Sequence, residues 1–215
     1  MALANNFTVI DPSISRIYLL DSSELYLVPF QKLSEDINVK ALYLSWLNDI
    51  ENLKSIGSDA LLSPNKDDQF IESSFKRFTS YNSVGFFIYY KMADAFIGTC
   101  KLDSFDPSLK SATDGILIGD KNWQGKGLAT IIYKTLLMFG FTYLSLHLVN
   151  GGCNAQNLAM LRVFKRIGYK HQKTIINADC IDGLVSNHEY FSITQTHFLQ
   201  KYRYEKLQII SAKTN

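Results

Sequence analysis

The chain has 215 residues, 47% of them apolar and 20% charged, with a net charge of +2. That is enough chain for one domain with a self-sufficient core, and the balance excludes an intrinsically disordered protein. No basic run stands out, so nucleic acid is not an expected partner.

Three cysteines, Cys100, Cys153 and Cys180, lie far apart with no C-x-x-C pair. This spacing argues against zinc and a disulfide framework, and for a reducing cytoplasm. The opening MALANNFTVIDPS has neither a basic n-region nor an apolar h-region, so no signal peptide is expected.

In chain order, SSELYLVPF (22–30) reads as the first strand. Ser34 is placed as the N-cap of a helix through EDINVKALYLSWL, with Glu35 and Asp36 where the helix dipole favours them. NDIENLKSIGSD continues as broken helix and loop. KDDQFIESSFKRFTSY has helical spacing, with Ile71, Phe75 and Phe78 on one stripe. The period then shortens. VGFFIYYK and AFIGTCKLDSF, joined by KMAD, predict an antiparallel hairpin, and SATDGILIG a further strand.

Residues 129–149 are apolar for about the length of a membrane span. Lys134, several hydroxyl side chains and Gly140 divide the stretch. We read it as a helix over about 127–139 followed by a strand, YLSLHLV, and expect no membrane partner. A helix over 157–167 ends at Gly168, a left-handed C-cap. YKHQKTIINADCI and SNHEYFSITQT close the fold as a strand pair around Asp182-Gly183, and the tail KTN is expected to fray. Helices between strands predict a single α/β domain over 1–215, with its core at about 20–195 and at least one right-handed parallel crossover.

NWQGKGLAT (122–130) sits between the ILIGD strand and the following helix. It fails as a P-loop: Asp120 stands where the first glycine belongs and Gly127 where the metal-binding hydroxyl belongs. It fails as a dinucleotide fingerprint because Thr130 takes the third glycine's place. What remains is a glycine loop at a helix start, where unpaired amides and the dipole suit a pyrophosphate without a metal. A plain strand-to-helix turn stays open as the other reading.

The run Gln124-Gly125-Lys126-Gly127-Leu128-Ala129 resembles the Q/R-x-x-G-x-G/A signature of the GNAT superfamily of N-acetyltransferases. LHLVNGGCNAQNLAMLRVFKRIGY (146–169) resembles that superfamily's next strand and helix. YLSWLND (43–49) is similar to a W-x-N-D in the branch that holds ribosomal-protein N-terminal and amino-sugar acetyltransferases. The resemblance implies a GNAT fold: a twisted, mixed, mostly antiparallel sheet, flanked by helices and splayed between its fourth and fifth strands. Acetyl-CoA would lie in the split as co-substrate, with no metal. Its pyrophosphate would meet the amides of Gln124, Gly125, Lys126, Gly127, Leu128, Ala129 and Thr130. Its pantetheine arm would bond Ile116, Leu117 and Ile118, with Asn157 on the other side. Lys126 has two open readings, a phosphate partner or a solvated lysine. A homodimer is common in the family.

The implied reaction is direct attack of a neutral amine on the thioester, which needs a base for the amine proton. A backbone N–H on the splayed strand can polarise the carbonyl. Many members carry a glutamate on the fourth strand; here Thr113 takes its place and Asp114 follows. On a regular strand Asp114 points to the opposite face, unless Gly115 permits a bulge. Asp114 is therefore a candidate base beside a structural reading. His147, on the expected YLSLHLV strand, is a second candidate.

The family's acid tyrosine is replaced by Phe164, and a serine used by some members by Met160. Tyr133 and Tyr169 are nearby in sequence. Cys153 reads as a buried thiol. His188 and Glu189 are placed toward the acceptor pocket. The expected acceptor is a small amine, such as an amino sugar or a nucleotide-linked amino sugar. The alternatives are a protein N-terminus and a non-catalytic acyl-CoA-binding module. A polyamine is less favoured, since no acidic cluster is visible.

Overall fold

A computed structural model describes residues 10–19, 24–56, 66–181 and 183–211. The expectations for the first nine residues, for the loop after residue 56, for Asp182 and for the KTN tail lie outside them. Among the described residues nine strands form one sheet: β1 (Ile14–Leu19), β2 (Leu25–Pro29), β3 (Ser83–Tyr90), β4 (Ala95–Asp106), β5 (Ser111–Ile118), β6 (Leu148–Asn154), β7 (Lys170–Ile181), β8 (Leu184–Thr194) and β9 (Leu207–Ser211). The helices are α1 (Ile37–Asn48), α2 (Ile50–Ile56), α3 (Asp68–Phe78), α4 (Leu128–Thr142), α5 (Leu158–Ile167) and α6 (Gln195–Lys201). The strand order is β7-β8-β6-β5-β4-β3-β2-β1-β9. Every pairing among the described residues is antiparallel except β5 with β6, which the α4 crossover joins in parallel.

The sheet has a core on each face. Ile132, Tyr133, Leu136 and Phe139 of α4 and Phe164 and Ile167 of α5 pack on one side, against Phe86, Ile88, Leu102 and Val149. On the other side Tyr43, Trp46 and Leu47 of α1 and Ile71 and Phe75 of α3 pack on Phe30, Phe87 and Leu117. Strand β3 supplies both cores, as its alternation requires. No described helix is long and apolar enough to cross a membrane.

Four expectations shift. The α1 cap is Asp36, two residues past Ser34, because its carboxylate reaches the amides of Asn38 (3.0 Å) and Val39 (3.1 Å). Helix α4 runs through Gly140 to Thr142; ten of its fifteen residues are buried, and tertiary burial outweighs the glycine. The next strand therefore begins at Leu148, after Ser145 in the left-handed region (φ 56), so the expected YLSLHLV strand is mostly helix end and loop. Finally, β1, α6 and β9 extend the fold beyond the expected core of 20–195.

Candidate active site

Strands β5 and β6 pair only at Ser111↔Leu148, Ala112↔Val149 and Thr113↔Asn150. Beyond that they part, while β5 keeps β4 and β6 keeps β8 as outer neighbours. Among the described residues, the facing edges of 114–118 and 151–154 thus have no partner strand across the split. Buried backbone polar groups without partners are costly, so such an edge is a place for an amide-bearing ligand.

A cavity of about 350 Å³ occupies the split, within the range of small-molecule sites. Its lining comes from both faces. Asp114, Tyr133, Cys153 and Asn157 contribute from the α4–α5 side, and Tyr43, Phe70, Arg77, Phe78 and Lys101 from the α1–α3 side.

At the α4 end, Gly125 (φ 72) and Gly127 (φ 80) both adopt left-handed backbone. Apart from the glycines' own chain neighbours, no atom of the described residues lies within 4 Å of where a Cβ would stand on either, so the space before them is open. Gly127 caps α4 with no side-chain hydrogen bond. Thr130 turns its amide back onto the Gly127 carbonyl (3.2 Å), while helix geometry gives Leu128 and Ala129 no intrahelical acceptor. The buried Leu128 side chain anchors this turn in the core. Lys126 is exposed, its ammonium 4.9 Å from the centre of the Trp123 ring.

Gln124 serves a purpose that its place in the signature did not announce. Its Nε2 donates to Asn52 Oδ1 (2.8 Å) and to the Ile118 carbonyl (2.7 Å). Asn52, fully buried on α2, donates in turn to the Gly119 (3.0 Å) and Trp46 (3.3 Å) carbonyls. The loop is thereby latched to the end of β5 and to the α1–α2 corner. Asn157 is likewise engaged: its Oδ1 caps α5 through the Met160 amide (3.0 Å), and its Nδ2 donates to Ser55 O (2.8 Å). It lines the cavity with one donor hydrogen and an acceptor lone pair in reserve.

The register of β5 against β4 is regular through Leu102↔Asp114 and Lys101↔Gly115, with no bulge at Gly115. Asp114 consequently faces the α4–α5 layer, buried, and accepts hydrogen bonds from the Tyr133 hydroxyl (3.1 Å) and the Tyr169 hydroxyl. Burial pushes its carboxyl up to about 7, against the lowering effect of the two phenols. Burial also holds both phenols well above their ordinary range. Cys153 is a buried thiol pushed up to about 12 by desolvation, so it stays protonated and is a poor nucleophile.

His147 does not join this group. It is exposed at the closed end of the β5–β6 pair, its amide on Lys110 O (2.7 Å), because the strand expected to carry it starts one residue later. Glu189 also departs from expectation. It sits opposite Cys153 on the α5 side of β8, tied to His171 (2.6 Å) and Thr174 (2.7 Å). His188, one residue earlier, takes the other face, where Asp179 holds its Nδ1 (2.9 Å). Motif reading does not pair Asp114 with its phenols, Asn52 with Gln124 or Asp179 with His188: the first two join different elements, and the last depends on an irregular register between β7 and β8.

Charge on the α1–α3 side is cationic. Arg77 and Lys101 line the cavity and share one partner, the buried Asp103. Phe30 sits at the centre of the aromatic wall, 4.4 Å from Phe87, 4.7 Å from Phe75 and 5.2 Å from Phe78 between ring centres. Among the described residues, no group of three or more His, Cys, Asp or Glu side chains is arranged to hold a metal.

A family model described as an acetyltransferase (GNAT) domain matches residues 25–170. The probable N-acetyltransferase YjcK of Bacillus subtilis strain 168 is 28% identical over 132 residues, covering 57% of this chain and 72% of that protein. The spermidine N-acetyltransferase of Vibrio cholerae, solved with CoA and spermine, aligns with a TM-score of 0.71 at 18% identity, over 82% of this chain and 99% of that one. The microcin C7 self-immunity acetyltransferase MccE, solved with acetyl-CoA and AMP, aligns with a TM-score of 0.65 at 19% identity, over 86% and 99%.

Proposed function

The chain belongs to the GNAT acetyltransferase family and is an acetyl-CoA-dependent acyltransferase, and we propose that its acceptor is the primary amine of a small molecule, an amino sugar or a nucleotide-linked amino sugar. The observation that carries this reading is the α1–α3 wall of the cavity, where aromatic faces stand beside Arg77 and Lys101; among the described residues the cavity's one lining carboxylate is the buried Asp114, on the opposite side. Aromatic rings suit a sugar or a base, and the cations suit a phosphate. The same wall disfavours a polyamine, whose charges would meet charges of like sign. A protein N-terminus is the second reading, supported by the branch that the W-x-N-D stretch resembles. We place the protein in a reducing cytoplasm on its cysteine spacing.

On this reading the amides of 125–129 take the CoA pyrophosphate, since those of Gln124 and Thr130 are held by Lys121 O (3.3 Å) and Gly127 O (3.2 Å). The pantetheine arm lies along the free edge at Ile116, whose neighbour Leu117 turns its carbonyl toward β4, and Asn157 adds its spare capacity. Ile118 offers its amide more readily than its carbonyl, which Gln124 already occupies. A backbone N–H of the parted strands polarises the thioester carbonyl, and the neutral amine attacks from the α1–α3 side.

The test pairs calorimetric titration of acetyl-CoA with a thiol-release assay over glucosamine phosphate, a nucleotide-linked amino sugar, spermidine and a peptide N-terminus. Fastest release with a phosphate-bearing amino sugar is expected. Fastest release with spermidine would overturn the acceptor reading, and tight binding with no turnover of any amine would favour a non-catalytic module.

A further inference from the structure

The acceptor's proton needs a destination, and the groups nearest the split do not provide one on the amine face. Asp114 lies on the α4–α5 side, bonded to two phenols. Cys153 is a protonated thiol on that same side. His147 and Glu189 lie elsewhere. Building on the acetyl-transfer reading, we propose that His188, oriented by Asp179, is the base that receives the proton of the acceptor amine.

Register sets its direction. A Cβ on Gly151 would meet Phe164 and Asp114, so Gly151 faces α5 and its neighbour Gly152 faces the amine side. Asn154↔His188 and Gly152↔Tyr190 are directly opposed pairs, which puts His188 on the Gly152 face. Gly152 lines the cavity, and a Cβ there would stand 2.6 Å from His188 Nε2. Only a glycine lets the imidazole lie against the cavity wall at that point. Nε2 has no hydrogen-bond partner among the described residues.

Asp179 fixes the ring. Its carboxylate oxygens stand 2.9 and 3.2 Å from Nδ1, which holds the proton there and leaves the Nε2 lone pair beside Gly152. An irregularity in β7 supplies this carboxylate: Ile175↔His188 is followed by Asp179↔Ser186, so four residues advance on β7 against two on β8. Asn177, in the left-handed region (φ 54), anchors the irregularity through its amide on Asn187 Oδ1 (3.1 Å). Bulges of this kind re-aim side chains beside active sites.

In the step, the amine lone pair forms the C–N bond to the thioester carbon. The nitrogen's proton passes to Nε2. The C–S bond breaks with its electron pair on sulfur, and the imidazolium returns the proton to the thiolate through solvent. Amine and thioester become amide and thiol, and the dyad is unchanged. The titratable and charged groups around His188 among the described residues are Asp179 and Lys173 on β7, Tyr190 and Glu189 on β8, Cys153 on β6, and Asp114 and Lys101 across the split.

The test compares wild type, His188→Gln and Asp179→Asn as full chains, with the best acceptor from the amine panel, by kcat across pH 5.5–9 and by calorimetric acetyl-CoA affinity. His188→Gln is expected to lower kcat by roughly 10²–10⁴-fold, to lose the acid limb of the pH profile, and to keep the acetyl-CoA Kd within about twofold of wild type. Asp179→Asn is expected to lower kcat by a smaller factor and to displace that limb. If His188→Gln does not fold, the displaced limb in Asp179→Asn decides. A His188→Gln enzyme within about threefold of wild type, or an undisplaced limb in a folded Asp179→Asn, would overturn the proposal. A wild type that turns over no amine would instead sink the acetyl-transfer reading beneath it.

Discussion

The two sides of the split are made of different material. On the α4 side the ligand would meet backbone: two left-handed glycines, the first-turn amides of a helix, and a strand edge. On the α1–α3 side it would meet side chains, an aromatic wall and two cations around Asp103, with a histidine held by an aspartate against the lining Gly152. Backbone recognition depends on conformation and leaves the sequence free except where a Cβ would intrude. Side-chain recognition depends on residue identity and on registers between distant strands. The first suits an invariant donor and the second an acceptor that differs from one enzyme to another. Substitutions on one side should therefore leave binding on the other unchanged.

The strongest challenge to that separation is Asp114, which lies under the α4 side yet borders the cavity. Its folded carboxyl stands at about 7 against an ordinary value of 3.8. A raised carboxyl stabilises the fold fully below about pH 3.8, and that contribution is lost as pH rises through 7, on the order of 4 kcal/mol in all. Thermal melts should show Asp114→Asn gaining on wild type between pH 4 and 8, whatever its absolute stability. A parallel pH dependence in the two proteins would contradict the buried placement. A steep loss of kcat in the same variant, with an altered pH–rate profile, would make Asp114 the base and blur the two sides.

Gly127→Val is next. It puts a branched side chain at φ 80 and fills the open space before the cradle. Acetyl-CoA Kd should rise at least about 30-fold, or about 2 kcal/mol, while the acceptor KM and the fold change little. An unchanged Kd would remove the cradle from the account. Arg77→Gln probes the other side. Asp103 keeps Lys101 as its partner (3.0 Å), so the fold should hold. The KM for a phosphate-bearing amine should rise about tenfold with acetyl-CoA affinity intact, since a charged hydrogen bond contributes about 1.5–3 kcal/mol. Equal losses for charged and neutral amines would show packing, not charge, at work.

Asn157→Ala carries the smallest effect and the finest distinction. Losing an N-cap costs about 1 kcal/mol, and the tie to Ser55 goes with it. Stability should fall by that amount, and the KM for acetyl-CoA should rise more than that for the amine. A stability loss with both KM values unchanged would leave Asn157 a purely structural residue.

The same division governs what could be read from sequence. The glycine loop is legible as a conformation because it is local: two glycines, a lysine and a helix start occupy adjacent positions, and the left-handed backbone at Gly125 and Gly127 limits the residues allowed. The split was expected between the right strands, but β6 was misplaced, because LVNGGCN carries little of a strand's usual composition. It carries little because Gly151 and Gly152 must admit Phe164 and His188 against the backbone. Asp179 was silent for a different reason. Nothing in ADCIDG announces that an irregularity upstream turns its carboxylate onto a histidine nine residues later. Register is a tertiary property, and the acceptor side is built from register.

The central claim is that the donor enters from the α4 side and meets its acceptor through the split. A crystal structure of the full chain with a non-hydrolysable acetyl-CoA analogue tests it directly. The expected result is the pyrophosphate on the amides of 125–129, the pantetheine arm along the β5 edge at Ile116, and the carbonyl carbon open toward Gly152. A pyrophosphate bound away from Gly125 and Gly127, or an acetyl group buried against Asp114 with no path to the α1–α3 side, would contradict it.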